Sequence, residues 1–214
     1  MIIACWAAKG GSGTTVVACA LALVAARRGA ARAVLCDLDG DAAACLGIAE
    51  PAGPGLTDLL AGLDSVPPDA IGQLLVEVAP GLDLLPRGRS SLTADARTVL
   101  GLLDALPGTV IVDAGTRPDG SAADVVRGAD RSVLVTRPCY LALRHALDAD
   151  HRPSEVVMVD EPGRALGASD VEAALGVPVR ATVVFDPAIA RAVDAGILRS
   201  RLPRKLQRAL DDAA

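Results

Sequence analysis

Lysine is almost absent from this sequence of 214 residues, occurring only at Lys9 and Lys205. Aromatic residues are also scarce, with one Trp, one Tyr and one Phe. The core must therefore be built from Ala, Val, Leu and Ile, and a nucleic-acid surface based on aromatic stacking is excluded. The net charge of −5 likewise argues against general nucleic-acid coating. In a chain that uses so little lysine, Lys9 is an informative residue.

The five cysteines form no CxxC pair and show no metal-ligand spacing. No apolar run reaches the ~20 residues that a membrane-spanning helix needs, and no signal peptide precedes the first apolar stretch. The sequence therefore predicts a cytoplasmic protein whose residues 1–214 form a single domain. Four cysteines lie in apolar segments, where a free cysteine usually acts as a small buried hydrophobic residue: Cys5, Cys19, Cys36 and Cys45.

Continuous apolar runs alternate with helical patterns along the chain, while residues 69–78 fit either a helix or a strand. This alternation predicts an α/β fold with a mostly parallel central sheet and helices on both faces. The strands are predicted at 1–6, 32–37, 82–86, 109–113, 131–136, 155–159 and 177–183. The helices are predicted at 15–28 with a stop at Gly29, at 41–46, at 56–63, at 91–106 with Ser91 or Thr93 as N-cap, and at 122–130.

A glycine-rich turn, "KGGSGTT" (residues 9–15), joins the first predicted strand to the first helix. Glycines permit a tight turn in which successive backbone N–H groups point at one anion, in front of a helix N-terminus. The hydroxyl of Thr15, in the first helical turn, is of the kind that binds Mg²⁺. Two positions depart from the phosphate-loop pattern GxxxxGK[ST], since Ala8 replaces its first glycine and Thr14 its lysine. From the residues alone, a phosphate site and a plain glycine turn both remain open.

This segment resembles the deviant phosphate loop, KGGxGK[ST], of the MinD/ParA group of P-loop ATPases. The resemblance implies that Lys9 reaches the phosphates of the second subunit in a nucleotide-dependent homodimer, and that Thr15 binds Mg²⁺. Thr14 stands where the group has its in-cis phosphate lysine. The residues that the resemblance implies for binding ATP or ADP are Lys9, Gly10, Gly11, Ser12, Gly13, Thr14, Thr15 and Val16.

Acidic residues follow two predicted strands at intervals similar to those of the same group. "DLDGD" (37–41) matches its switch I, which implies that Asp39, together with Lys9, is catalytic and orients the attacking water. Asp113 in "VIVDAG" matches the Walker B aspartate, and the resemblance places Asp37 and Asp113 with Thr15 around Mg²⁺. From the residues alone, Asp37 and Asp39 also fit helix caps or loop residues. Asp113 instead stands at the end of a strand, where open α/β sheets bind ligands.

Within the group, the chain is most similar to the TadZ/CpaE-like localisation proteins, several of which also lack the in-cis lysine. The resemblance implies an ATP-dependent dimerisation switch that positions a partner assembly of the pilus, septum or pole type. Losing one preorganised contact to the phosphates costs on the order of 2–4 kcal/mol in the transition state. Hydrolysis is therefore expected to be slow or absent. The alternatives are a non-catalytic scaffold with the same fold and a ParA-like DNA-partition ATPase.

The last segment, residues 198–214, predicts a short helix with one apolar stripe. Basic residues beside the stripe suit an anionic membrane, but the stripe has no aromatic anchor, and Asp211 and Asp212 oppose an acidic surface. We therefore expect this helix to pack on the domain rather than to bind vesicles. The stripe consists of Leu202, Leu206, Ala209 and Leu210.

The resemblance places residues 159–164 and 184–188 near the nucleotide base. Neither segment contains a residue that decides which base is bound.

Overall fold

The computed structural model describes residues 1–28, 32–62, 67, 69–211 and 213. The predicted helix stop at Gly29 and the acidic residue Asp212 lie outside these residues. The described strands are β1 (Ile2–Ala7), β2 (Ala33–Asp37), β3 (Val76–Ala79), β4 (Leu82–Leu85), β5 (Thr109–Thr116), β6 (Arg131–Thr136), β7 (Glu155–Asp160) and β8 (Val179–Val184). The described α-helices are α1 (Thr14–Arg27), α2 (Ala42–Leu46), α3 (Leu56–Gly62), α4 (Ala96–Asp104), α5 (Gly120–Gly128), α6 (Tyr140–Leu147), α7 (Ala168–Leu175), α8 (Pro187–Asp194) and α9 (Arg204–Leu210).

The strands form one sheet in the order β3-β4-β2-β5-β1-β6-β7-β8. All neighbouring pairs are parallel except β3 and β4, which are antiparallel at the edge. The predicted mostly parallel sheet is thus confirmed. The ambiguous segment 69–78 contains both kinds of structure, because a 3₁₀ helix (Ala70–Leu74) precedes β3.

Helices cover both faces of the sheet, as the continuous apolar strands predict. Along β1, Ile3 and Cys5 face the core under α1, α2, α8 and α9. Ile2, Ala4 and Trp6 alternate with them and face the core under α3 to α7. The four cysteines in apolar segments are all buried, as predicted.

The helix predicted at 91–106 is shorter than expected and begins at a different cap. Neither Ser91 nor Thr93 caps it. The N-cap is Asp95, whose carboxylate accepts hydrogen bonds from the backbone N–H groups of Arg97 and Thr98. A carboxylate at N-cap satisfies two of the helix's otherwise unpaired donors, so α4 starts at Ala96.

The C-terminal helix α9 packs on the domain, as predicted. Leu202, Leu206 and Leu210 are buried in the core that lies under α1 and α8. The apolar stripe is therefore used internally and is not presented to solvent. Within the described part of the chain, no helix combines the length and apolar character needed to cross a bilayer.

Candidate functional site

The turn between β1 and α1 has the geometry of an anion-binding loop. Gly11 and Gly13 have φ of +76° and +88°, which L side chains rarely adopt. A Cβ atom placed on Gly10, Gly11 or Gly13 would meet nothing within 4 Å, so the concave side of the turn is open. The turn is held by the Ser12 hydroxyl, which donates to the carbonyl oxygen of Lys9 at 2.7 Å. Its free backbone N–H groups stand directly before α1, where helix N-termini attract anions.

The two polar side chains that flank the glycines lie in opposite environments. Lys9 is exposed, and its ammonium group has no hydrogen bond or ion pair among the described residues. Thr14, at the usual lysine position, is only 5% exposed, and its hydroxyl oxygen is buried without a partner. The loop therefore offers one free cation that points outwards and one unpaired hydroxyl inside. Val16, also predicted to bind nucleotide, lines an apolar slot beside the loop together with Ser12 and Gly13.

Two of the predicted carboxylates lie side by side at the carboxyl edge of the sheet. Asp37 at the end of β2 is in register with Asp113 on the neighbouring strand β5. The Asp37 carboxylate accepts hydrogen bonds from the backbone N–H groups of Asp39 (3.0 Å), Gly40 (2.6 Å) and Ala42 (3.0 Å). Asp37 thus organises the turn after β2, as a loop-capping aspartate does.

Asp113 is fully buried and has an unusual protonation equilibrium. Burial, together with the charges of Asp37 and Asp39, raises its pKa to about 7, although the Thr15 hydroxyl and the Gly115 N–H act in the opposite direction. One carboxylate oxygen accepts from Gly115 at 3.2 Å, and the other is buried without a partner. A buried carboxylate with a free oxygen is costly unless a cation or donor joins it.

The third carboxylate, Asp39, lies against the backbone of the loop that follows Asp113. A Cβ atom on Gly115 would come within 2.2 Å of the Asp39 carboxylate, and Gly115 has a φ of +67°. Glycine at this position therefore permits close contact between the two loops. Burial and the charge of Asp41 raise the pKa of Asp39, and the Arg87 guanidinium lowers it.

Arg87 is a component of the site that the sequence did not indicate. Its guanidinium also donates to the backbone carbonyl of Leu38 at 3.1 Å, which ties it to the turn after β2. Arg117, in contrast, is exposed and lines a separate groove between α5 and α6.

The residues at this edge suit a hydrated Mg²⁺ ion held by few protein ligands. Among the described residues, no three His, Cys, Asp or Glu side chains are grouped as a metal site. Mg²⁺, however, usually keeps several waters and takes one or two carboxylates together with substrate phosphates. The unpartnered oxygen of Asp113, with the Thr15 hydroxyl beside the same carboxylate, provides such a donor set.

A small apolar slot adjoins the glycine loop and includes residues of both segments that were predicted near the nucleotide base, 159–164 and 184–188, together with Arg137, which was not predicted. Its volume is about 130 Å³, and it lies between Gly13 on one side and Phe185 on the other. Arg137 also lines it, with its guanidinium 6.0 Å from the centre of the Phe185 ring and 3.7 Å from the Glu161 carboxylate. Phe185, which belongs to the predicted segment 184–188, is 40% exposed.

Solved structures with the same fold come from MinD and ParA proteins. The MinD cell division protein of Aquifex aeolicus is 20% identical, with a TM-score of 0.78 over 99% of this chain and 93% of that chain. The septum site-determining protein MinD of Pyrococcus horikoshii OT3, complexed with Mg-ADP, is 20% identical, with a TM-score of 0.76 over 99% and 93%. A ParA family ATPase from Chlorobium tepidum TLS is 18% identical, with a TM-score of 0.76 over 99% and 97%.

Comparison with known family profiles and with curated protein sequences finds no match. The structural likeness nevertheless extends over the whole length of the chain and of these neighbours. The fold is therefore that of the MinD/ParA-type P-loop ATPases.

Proposed function

We propose that this chain is a nucleotide-dependent dimerisation switch that binds ATP or ADP with Mg²⁺, hydrolyses ATP slowly or not at all, and positions a partner assembly. The observation that carries the proposal is the open glycine turn in front of α1, next to a buried aspartate with one unpaired oxygen. Support also comes from the MinD of Pyrococcus horikoshii, a septum site-determining protein solved with Mg-ADP on the same fold.

In this proposal the backbone N–H groups of Gly10 to Gly13 bind the phosphates, and the apolar slot by Phe185 takes the base. Thr15, Asp37 and Asp113 would hold Mg²⁺, and the unpaired carboxylate oxygen of Asp113 supports this assignment. Bound Mg²⁺ supplies charge that neutralises the phosphate oxygens. Asp39 orients the water that attacks, and the close contact with Gly115 fixes its position.

Lys9 has a role across the dimer in this proposal. Its ammonium group has no partner among the described residues, so it is available to phosphates bound by a second copy. Thr14 cannot supply the positive charge that stabilises phosphoryl transfer, which accounts for slow turnover. The closer likeness to TadZ/CpaE-like proteins, and the cytoplasmic location, stay predictions.

Calorimetric titration of the full chain with Mg-ATP tests this function. We expect saturable binding in the micromolar to millimolar range, and weaker binding when Mg²⁺ is removed with a chelator. The Asp113→Asn variant should lose this Mg²⁺ dependence, since the charged ligand is gone. No heat of binding at millimolar Mg-ATP contradicts the proposal.

A non-catalytic scaffold is the second candidate, and the buried, uncharged Thr14 at the lysine position favours it. The two candidates differ in the same titration. A scaffold binds no nucleotide, and its interaction with a partner is unchanged by ATP.

A further inference from the structure

Positive charge is concentrated in α8, α9 and the segment between them. Residues 187–210 contain six of the 21 Lys and Arg residues of the chain but only one of its 26 Asp and Glu residues. The remainder of the protein is therefore strongly acidic. A basic region on an acidic protein is a surface that selects partners by charge.

Part of this basic region surrounds a groove with an apolar floor. The groove has a volume of about 660 Å³, within the range of ligand-binding clefts. We call it the arginine groove. Its rim carries Arg191 from α8, Arg201 from the connecting segment and Arg204 from α9, and its floor is formed by Ala188, Ala192, Ile197, Leu202 and Pro203.

The three rim arginines are exposed and are not neutralised locally. Among the described residues, no hydrogen bond or ion pair engages their guanidinium groups. Arg191 acts on Asp186 only through its charge, since Asp186 caps α8 and pairs with Lys205 at 3.5 Å. A guanidinium group binds a carboxylate through two parallel N–H···O hydrogen bonds. Three free guanidinium groups around one cleft therefore suit a ligand that carries several carboxylates.

We propose that the arginine groove docks an acidic segment of a partner protein, with an apolar side chain of that segment seated on the floor. Two features together favour this occupant. Ile197, on the floor, is 38% exposed and offers apolar surface that phosphate groups do not use. An extended polyanion such as a DNA duplex or an anionic bilayer would in addition meet the acidic remainder of the protein, whereas a short peptide fits within the cleft.

The docking site is separate from the proposed nucleotide site. The apolar slot uses Ile189 and Ala190 of α8, whereas the groove uses Ala188, Arg191 and Ala192 of the same helix. The proposal therefore stands whether or not the chain binds nucleotide, and it is tested without nucleotide.

Fluorescence anisotropy of a labelled peptide tests the proposal directly. The probe is a short peptide of Asp and Glu residues with one central Leu, and its control replaces the acids by Asn and Gln. We expect the full chain to bind the acidic probe and not the control. Substituting Arg191→Gln, Arg201→Gln and Arg204→Gln together should weaken binding at least about tenfold at low salt, with a smaller change at high salt.

A matched variant separates the groove from net charge. Arg89→Gln, Arg97→Gln and Arg144→Gln together remove the same charge from exposed positions elsewhere. This variant should bind the probe within about twofold of the unmodified chain, because long-range contributions are screened. Circular dichroism melting shows that both triple variants fold. Equal losses in the two variants, or no binding of the acidic probe by the unmodified chain, would overturn the proposal.

The floor is tested by Ile197→Ser together with a probe whose Leu is replaced by Gly. Each change alone should weaken binding by a similar factor, and the two combined should weaken it little further, since they remove the same contact.

A short DNA duplex and phosphatidylglycerol–phosphatidylcholine vesicles serve as competing ligands. If either binds more tightly than the peptide and loses affinity in the groove variant, the basic region is a polyanion surface and the peptide proposal is wrong.

Discussion

The carboxyl edge of β2 and β5 and the arginine groove both contain charges that the fold leaves unneutralised, but in opposite surroundings. At the sheet edge, Asp37 and Asp113 are buried, so their charge acts on stability and on protonation. In the groove, Arg191 and Arg201 are exposed, so water screens them and they cost the fold little.

The buried carboxylates are accessible only to a ligand that enters the fold, whereas the exposed arginines are accessible to a partner at the surface. Within the sheet edge the same contrast recurs on a smaller scale. Asp37 has three backbone donors, whereas Asp113 has one oxygen with none. Hydrogen bonding thus distinguishes the two aspartates although they are in register.

Thr14→Lys is the change with the largest expected effect at the sheet edge. The lysine would restore a positive charge beside the phosphates that we propose the loop binds. We expect a gain of about 2–4 kcal/mol, divided between ATP affinity and turnover, as for one preorganised contact. Calorimetry and phosphate release measure the two. Thr14→Met, of similar length and uncharged, is the control, and a fall in both quantities for the lysine variant would show that the loop is adapted to threonine.

Asn substitutions at Asp37 and Asp113 should have opposite effects on stability. Because the pKa of Asp113 is raised in the folded protein, the contribution of this carboxyl group to stability is fully present below its ordinary pKa near 3.8. That contribution is lost as pH rises through about 7. At pH 8, Asp113→Asn should therefore have a free energy of unfolding about 1–3 kcal/mol larger than that of the unmodified chain, and a higher unfolding temperature, with little difference near pH 4. Its amide oxygen keeps the bond from Gly115.

Burial also raises the pKa of Asp37, although its backbone N–H donors lower it. Asp37→Asn should nevertheless lower stability by about 1–3 kcal/mol at pH 8, because an amide nitrogen replaces an acceptor of backbone N–H groups. Thermal unfolding followed by circular dichroism measures both variants. Destabilisation of similar size in both would mean that the two carboxylates are equivalent, contrary to the hydrogen bonds.

Arg191→Gln and Arg201→Gln should have the smallest effect on stability. Neither guanidinium has a partner among the described residues, so each change should alter the free energy of unfolding by less than about 0.5 kcal/mol. Denaturant unfolding is the measurement. A loss above 1 kcal/mol would show that these arginines support the fold and are not free for a partner.

Local patterns were sufficient to predict seven of the eight described strands, helices α1 to α5 and α9, and the glycine turn, because continuous apolar runs and glycine spacing report burial and backbone freedom directly. The antiparallel β3 was not predicted, since its four residues follow a 3₁₀ helix within one short segment. The helix at 91–106 was predicted too long because Ser91 and Thr93 are as suitable for capping as Asp95.

The site was only partly predictable, for a physical reason. Loop and strand-end positions indicated Lys9 and Asp113, but Arg87 and Arg137 reach the site only through tertiary packing. The arginine groove was hidden in the same way. Its apolar floor and its rim come from α8, α9 and the segment between them, and no single helical pattern contains the cleft.

The most direct test of the account is the mass of the protein with and without Mg-ATP, measured by light scattering for the unmodified chain and for Lys9→Ala. Lys9 is exposed and unpaired among the described residues, so the variant should fold with unchanged stability and still bind nucleotide. We predict that saturating Mg-ATP converts the unmodified chain to a dimer and leaves Lys9→Ala a monomer. Equal dimer fractions for the two proteins at saturating Mg-ATP, or no dimer of either, would contradict the proposed switch.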